Sequence, residues 1–426
     1  MKAFLLVCLV VVTSAKYEEY AGWKSYYVRP SNYDQLTYLG NLVQKLNLDF
    51  INHAYVDQDG IVIVHPEVQR QFLKNLEDYN IEFRVHSNDV REQLLKEEEV
   101  LFKESSSKNT INSRLSYDRY HTTDDIENYL REIAAAYPRV AKLEIPSNTF
   151  EGRPIPMLKV STTNFEDKSK PIIMIDGGIH GREWLTIPPV TYAIHKLVEN
   201  VTEPDLLDRY DWILLPMANP DSFNFSIVTS VVWQKTRSTD NHPLSVVCLG
   251  ADVDRNFDFN WRDLGPEGTP CTPLYPGNRP FSEVETRNLR DILHENLDRL
   301  RMYISFDSFG TKVMYPWGYD ASLSNRALVL HTVGVSITEA MNKYAEDNNH
   351  PFPLGYQVGS EAIVRGYTVG GMSTDYAHYL GVPLVFKIEV HGFFGAYFMP
   401  PQYIVPTVLE AWEGIVAGAR RAADMF

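Results

Sequence analysis

The sequence predicts an α/β protein: a mixed, largely parallel sheet with helices on both faces, preceded by a small α+β unit of ferredoxin-like order. Three observations carry this reading. A chain of 426 residues is long enough for one large domain and a smaller one. From about Tyr120 onward, short apolar runs alternate with longer helix-like stretches, the pattern of strands joined by helices. Before about Lys108 the segments follow the order βαββαβ. An apolar content of 44% with 22% charged residues fits a soluble globular chain. The formal net charge of −15 argues against nucleic acid as a partner. No apolar run beyond the N-terminus reaches membrane-spanning length, so no membrane partner is expected.

Residues 1–15 read as a secretory signal peptide. Lys2 supplies the positive start, Ala3 to Val12 the apolar core, and Thr13-Ser14-Ala15 the small-residue exit. A secreted, extracellular protein follows, and cleavage after Ala15 removes Cys8. Residues 16–108 form the small unit. Trp23 to Val28 reads as a strand, and Asn32 to Leu46 has helical spacing at Leu36, Leu39, Leu42 and Val43. Asp49 to Tyr55 and Ile61 to Val64 are strands around Asp57-Gln58-Asp59-Gly60, a turn. Pro66 to Tyr79 is helical, Ile81 to Val85 is a fourth strand, and Val90 to Phe102 an acidic amphipathic connecting helix. Glu104 to Thr110 is polar and aperiodic, an exposed linker. Lys103, Lys108 and Arg114 are candidate cuts for a trypsin-like protease.

Residues 109–426 form the large domain. Asp124 and Asp125 suit the first turn of a helix running to Tyr137. Lys142 to Ile145 and Ile155 to Val160 are strands around the turn Glu151-Gly152-Arg153-Pro154. Pro171 to Ile175 and Trp212 to Pro216 read as buried strands, and Val405 to Asp424 as a final helix. Asn200-Val201-Thr202 and Asn224-Phe225-Ser226 are glycosylation acceptors if accessible.

The stretch Asp176-Gly177-Gly178-Ile179-His180-Gly181-Arg182-Glu183-Trp184 follows the third of these strands. Its glycines permit a sharp turn, and His180 and Glu183 stand close enough to share one cation, as ordinary zinc donors. Sites in such sheets lie beyond the strand C-termini. By alternation along Val385 to His391, Lys387, Glu389 and His391 share one face.

HGREW after DGGI resembles the zinc carboxypeptidases of the pancreatic A/B type. The resemblance continues through Asn219-Pro220-Asp221, Trp233-Gln234-Lys235-Thr236-Arg237, Asp254-Arg255-Asn256-Phe257, Gly366-Tyr367 and Phe386-Lys387-Ile388-Glu389. It implies a carboxypeptidase-like sheet and an activation pro-domain over 16–108. It further implies a disulfide between Cys248 and Cys271, one Zn2+ per chain, peptide or protein C-termini as substrate, and a monomer. His180 and Glu183 match two zinc ligands. The family's third is a His in S-x-H-S, where this chain has Ser305-Phe306-Asp307-Ser308.

A carboxylate at Asp307 has the reach, since Zn–O contacts run at about 2.0–2.2 Å. Two anionic ligands cancel the ion's charge, so a bound water would acidify less. Glu389 matches the catalytic glutamate and Arg237 the arginine that stabilises the oxyanion. Gln234 stands where the pancreatic pattern has a basic residue, which weakens the charge of the outer subsites. Arg255 matches the clamp on the substrate's terminal carboxylate, and Tyr367 the mobile tyrosine. Arg182 joins the substrate-binding candidates.

Asp254 replaces a hydrogen-bond-donating Asn and, when ionised, can only accept. Either the site prefers something other than a free C-terminus, or a nearby cation neutralises Asp254, and Lys387 is the spare one. Thr374 falls at the pocket base, which is apolar in the A type and acidic in the B type. The expectation is a polar pocket favouring polar or acidic C-terminal residues rather than Lys or Arg. Three functions stay open: an A-like zymogen peptidase, a catalytically impaired peptide-binding relative, and a structural extracellular role.

Overall fold

The computed structural model describes residues 16–102, 111–240, 242–261, 269–350, 355–392 and 396–425. The signal peptide, the linker at 104–110, Lys103 and Lys108 lie outside the described residues.

The small unit runs β1 (Lys24–Arg29), α1 (Tyr33–Lys45), β2 (Asp49–Asn52), β3 (Gly60–Val64), α2 (Gln69–Asp78), β4 (Glu82–Ser87) and α3 (Val90–Leu101). Its strands pair antiparallel in the order β2-β3-β1-β4, the ferredoxin-like arrangement. Helix starts are set by side-chain caps: Asn32 accepts from the Gln35 amide and Asp89 from the Glu92 amide. Val62 and Val64 point into the unit's own core with Leu39, Val43, Phe72 and Leu76. Ile61 and Ile63 point the other way and meet Trp184, Ile187, Phe223 and Tyr397 of the large domain. Strand β3 is therefore apolar at every position because both of its faces are covered.

The large domain contributes α4 (Thr123–Ala136), β5 (Ala141–Glu144), β6 (Met157–Val160), β7 (Ile172–Asp176), α5 (Ile187–Ile194), α6 (Pro204–Arg209), β8 (Asp211–Leu215) and α7 (Pro220–Val228). After these come α8 (Val284–Asn296), β9 (Leu300–Ser308), β10 (Lys312–Tyr315), α9 (Ala327–Asp347), β11 (Gln357–Ser360), α10 (Glu361–Arg365), α11 (Ser373–Leu380), β12 (Leu384–Val390) and α12 (Ile404–Met425). Thr122 and Asp125 close a reciprocal capping box on α4. The sheet order is β11-β10-β12-β9-β7-β8-β6-β5. Its centre, β12-β9-β7-β8, is parallel, while β10, β6 and β5 pair antiparallel toward the edges.

Alternation sorts the strand residues onto two cores. Ile173, Ile175, Ile304 and Phe386 pack with α5, α9 and α12. Ile172, Met174, Tyr303 and Val385 pack with α8 and α11. Both faces are buried, so the central strands read as continuous apolar runs.

Candidate active site

Three parallel strands end at one place and deliver the polar groups. Strand β7 ends at Asp176, and the chain turns through Gly177 and Gly178. A Cβ on Gly177 would lie 2.4 Å from the Thr186 carbonyl oxygen, and Gly178 has φ +64°. Only glycine allows both, and the turn carries His180 over the strand ends. Strand β9 ends in Asp307, and β12 pairs with it in register, setting Glu389 directly opposite Asp307.

His180 Nδ1 lies 2.9 Å from Glu183 Oε1 and 3.8 Å from Asp307 Oδ1. The donor atoms of the three residues all fall within 4.8 Å of one another. His180 Nε2 contacts Asp252 Oδ1 at 3.0 Å, so an outer carboxylate orients the ring and leaves Nδ1 for a metal. Burial drives Glu183 well above the usual carboxylate range, and the facing Asp307 adds to it. Burial pulls His180 down, but Glu183 and Asp252 outweigh it and hold the imidazole well above its ordinary value. One half-buried imidazole and two buried, converging carboxylates suit a divalent zinc ion in chemistry and reach.

Glu389 is fully buried, and burial raises it to about 7 against the opposing pull of Arg365. Arg365 Nη2 donates to Glu389 Oε1 at 2.8 Å and lies 3.5 Å from Asp307 Oδ2. Asp254 accepts from the Ser373 amide and hydroxyl at 2.9 and 2.8 Å, and its other oxygen accepts from Lys387 Nζ. The expected Asp254–Lys387 pair is therefore present. Lys387 is not spare, however, because Glu361 Oε1 lies 3.0 Å from it.

Other sequence candidates sit differently. Arg255 Nε lies 3.3 Å from Asp252 Oδ2 and lines the cleft beside His180. Tyr367 also lines it, with its hydroxyl 3.3 Å from His53 Nδ1. Arg182 is turned to the small unit: it pairs with Asp49 and donates to the Phe50 carbonyl at 3.0 Å. Arg237 stacks its guanidinium 3.6 Å from the Phe225 ring centroid and pairs with Glu151 at 3.2 Å. Thr374 is buried on α11. His391 does not share the face of Lys387 and Glu389, because it lies just past the end of β12 and turns to Glu410 of α12. Cys248 and Cys271 form a disulfide.

Asp252, Glu361 and Arg365 were missed from the sequence. Asp252 stands two residues before the quoted Asp254 motif and had that much signal; the other two had none. The small unit also enters the site. Tyr55, in the β2–β3 connection, donates to Glu389 Oε2, and Gly40, Asp49, Phe50 and His53 line the cleft.

Fold and site together define a metallopeptidase whose cleft is covered by its own N-terminal unit. Comparison with known proteins agrees. Residues 126–414 match the family model described as zinc carboxypeptidase, and residues 26–97 match the carboxypeptidase activation peptide. The chain is 48% identical over 431 residues to carboxypeptidase B of Helicoverpa zea, covering all of both chains. It is 33% identical to carboxypeptidase B of Astacus astacus over 73% of this chain and all of that one. It superposes on the crystal structure of carboxypeptidase A from Helicoverpa armigera with TM-score 0.86 at 33% identity, covering 95% and 98% of the two chains. The chain belongs to the zinc carboxypeptidase family. It is a zinc metallocarboxypeptidase made as a zymogen, with one Zn2+ for catalysis and peptide C-termini as substrates.

Proposed function

We propose that His180, Glu183 and Asp307 hold the zinc, that Glu389 is the general base, and that residues 16–108 act as a removable plug. The observation that carries this is the register of Glu389 beside Asp307, with the Tyr55 hydroxyl on the same carboxylate. Zinc in such a site supplies a Lewis acid and an acidified water. Glu389 takes the proton of the attacking water and delivers it to the leaving amine. Arg255 grips the terminal carboxylate, and Tyr367, freed from His53, folds over the last residue. Arg237 requires a swing away from Phe225 to serve the oxyanion, as does Arg182 from Asp49 to serve substrate.

Activation follows from a cut between Lys103 and Arg114 by a trypsin-like protease, in a secreted, monomeric chain. Limited trypsin should release the plug and switch on cleavage of C-terminal residues. A separated large domain that binds zinc yet cleaves no peptide would overturn the reading and favour a peptide-binding role.

The side-chain preference is revised by Glu361. Two carboxylates, Asp254 and Glu361, surround Lys387, and Glu361 Oε2 has no hydrogen-bond partner among the described residues. Asp375, raised to about 8 by burial and by Glu361, is neutral near pH 7 and adds no charge there, so the acidic character rests on Asp254 and Glu361. Such a pocket repels an acidic C-terminal side chain and favours a basic one. Peptides ending in Lys, Glu and Phe should rank in kcat/KM with Lys first and Glu last. E361Q should shrink the Lys advantage, and a wild type that prefers Phe would reject this assignment.

A further inference from the structure

We propose that His350, His391 and Glu410 form a second site, for a divalent transition-metal ion, separate from the catalytic zinc. The three residues come from distant parts of the chain: His350 follows α9, His391 follows β12, and Glu410 lies on α12. Their donor atoms all fall within 4.8 Å of one another. His391 Nε2 stands 2.9 Å and His350 Nε2 3.7 Å from Glu410 Oε2. A tetrahedral zinc with bonds of about 2.0–2.1 Å separates its ligands by roughly 3.4 Å, and the two observed separations bracket that value. The imidazoles lie nearly parallel, with centroids 5.1 Å apart and planes 24° from each other. Two ring nitrogens therefore flank one carboxylate oxygen.

The surroundings suit a metal. The side chains are 2% (His350), 3% (His391) and 1% (Glu410) exposed. Among the described residues the ion-pair partners of Glu410 are these two imidazoles, with no Lys or Arg among them. Its Oε1 has no hydrogen-bond partner there. A buried carboxylate without a fixed cation is costly unless a positive charge joins it. Two nitrogens and one oxygen select zinc, cobalt, nickel or copper over calcium or magnesium. The ion would tie α9 and α12 to the end of β12, two residues beyond Glu389.

The test is metal stoichiometry on the full chain, loaded with excess Zn2+, freed of loose metal and assayed by elemental analysis. Wild type should hold two equivalents and E410Q one. H180A, which disables the catalytic site, should also hold one, and H180A/E410Q none. H350Q serves as a second route should E410Q fold poorly. Cobalt loaded into H180A should give a d–d absorption band that E410Q abolishes in that background. A wild type that stops at one equivalent, or an E410Q chain that keeps two, overturns the proposal.

Discussion

Asp307 stands among the charged groups of the site. It converges with His180 and Glu183, lies 3.5 Å from Arg365 and 3.8 Å from Lys387, and faces Glu389 across the sheet. An imidazole in its place would leave a zinc ion with net positive charge, a stronger Lewis acid. The two cations would lose one of their carboxylates. D307H should therefore bind zinc more tightly and raise kcat, while lowering stability by about 1–3 kcal/mol. Zinc titration, peptide turnover and urea denaturation of the separated large domain check the three parts. Tighter binding without faster turnover would place the limit elsewhere, with Arg365 on Glu389 as the first suspect.

Helix α3 is the element that couples docking to pH. Glu97 on this helix accepts from the Tyr397 amide at 2.9 and 2.7 Å and from the Phe398 amide at 3.1 Å. Burial nevertheless raises its carboxyl to about 7. Released into water it returns to roughly 4.3. The docked state thus binds the proton more tightly, so its contribution is complete below about pH 4 and fades as pH rises to about 7. The effect is at most about 4 kcal/mol. After a trypsin cut, the two pieces should stay together at pH 5 and separate at pH 8 on gel filtration. E97Q, which mimics the protonated form, should flatten that dependence. A wild-type complex equally tight at both pH values would remove Glu97 from this role.

Across the whole molecule, stability is unevenly divided. Among the described residues, the two cores of the large sheet contain none from the small unit. The small unit has one core of its own and spends its other sheet face on the interface. The large domain should therefore melt as one cooperative unit after the plug is removed, with a midpoint near that of the full chain. The isolated plug should melt earlier, because Ile51, Ile61 and Ile63 become exposed. Differential scanning calorimetry on the separated pieces checks both. A large domain that loses cooperativity would mean that its fold depends on the plug.

The order of elements, the two-unit layout and the motif at His180–Glu183 were legible along the chain. These are local properties: apolar alternation, turn residues, caps and donors a turn apart. The Asp254–Lys387 pair was also within reach, because an unpaired buried carboxylate demands a cation. Arg365 on Glu389, Glu361 beside Lys387, and Tyr55 reaching Glu389 across 334 positions of sequence carried no such signal. The same holds for the His350–His391–Glu410 cluster and for the turn of His391 away from Glu389. The sequence by itself determined which residues were chemically able to bind metal and substrate. Only the tertiary structure decided which of them meet, because sheet order and register, unlike periodicity, are set by packing between distant segments.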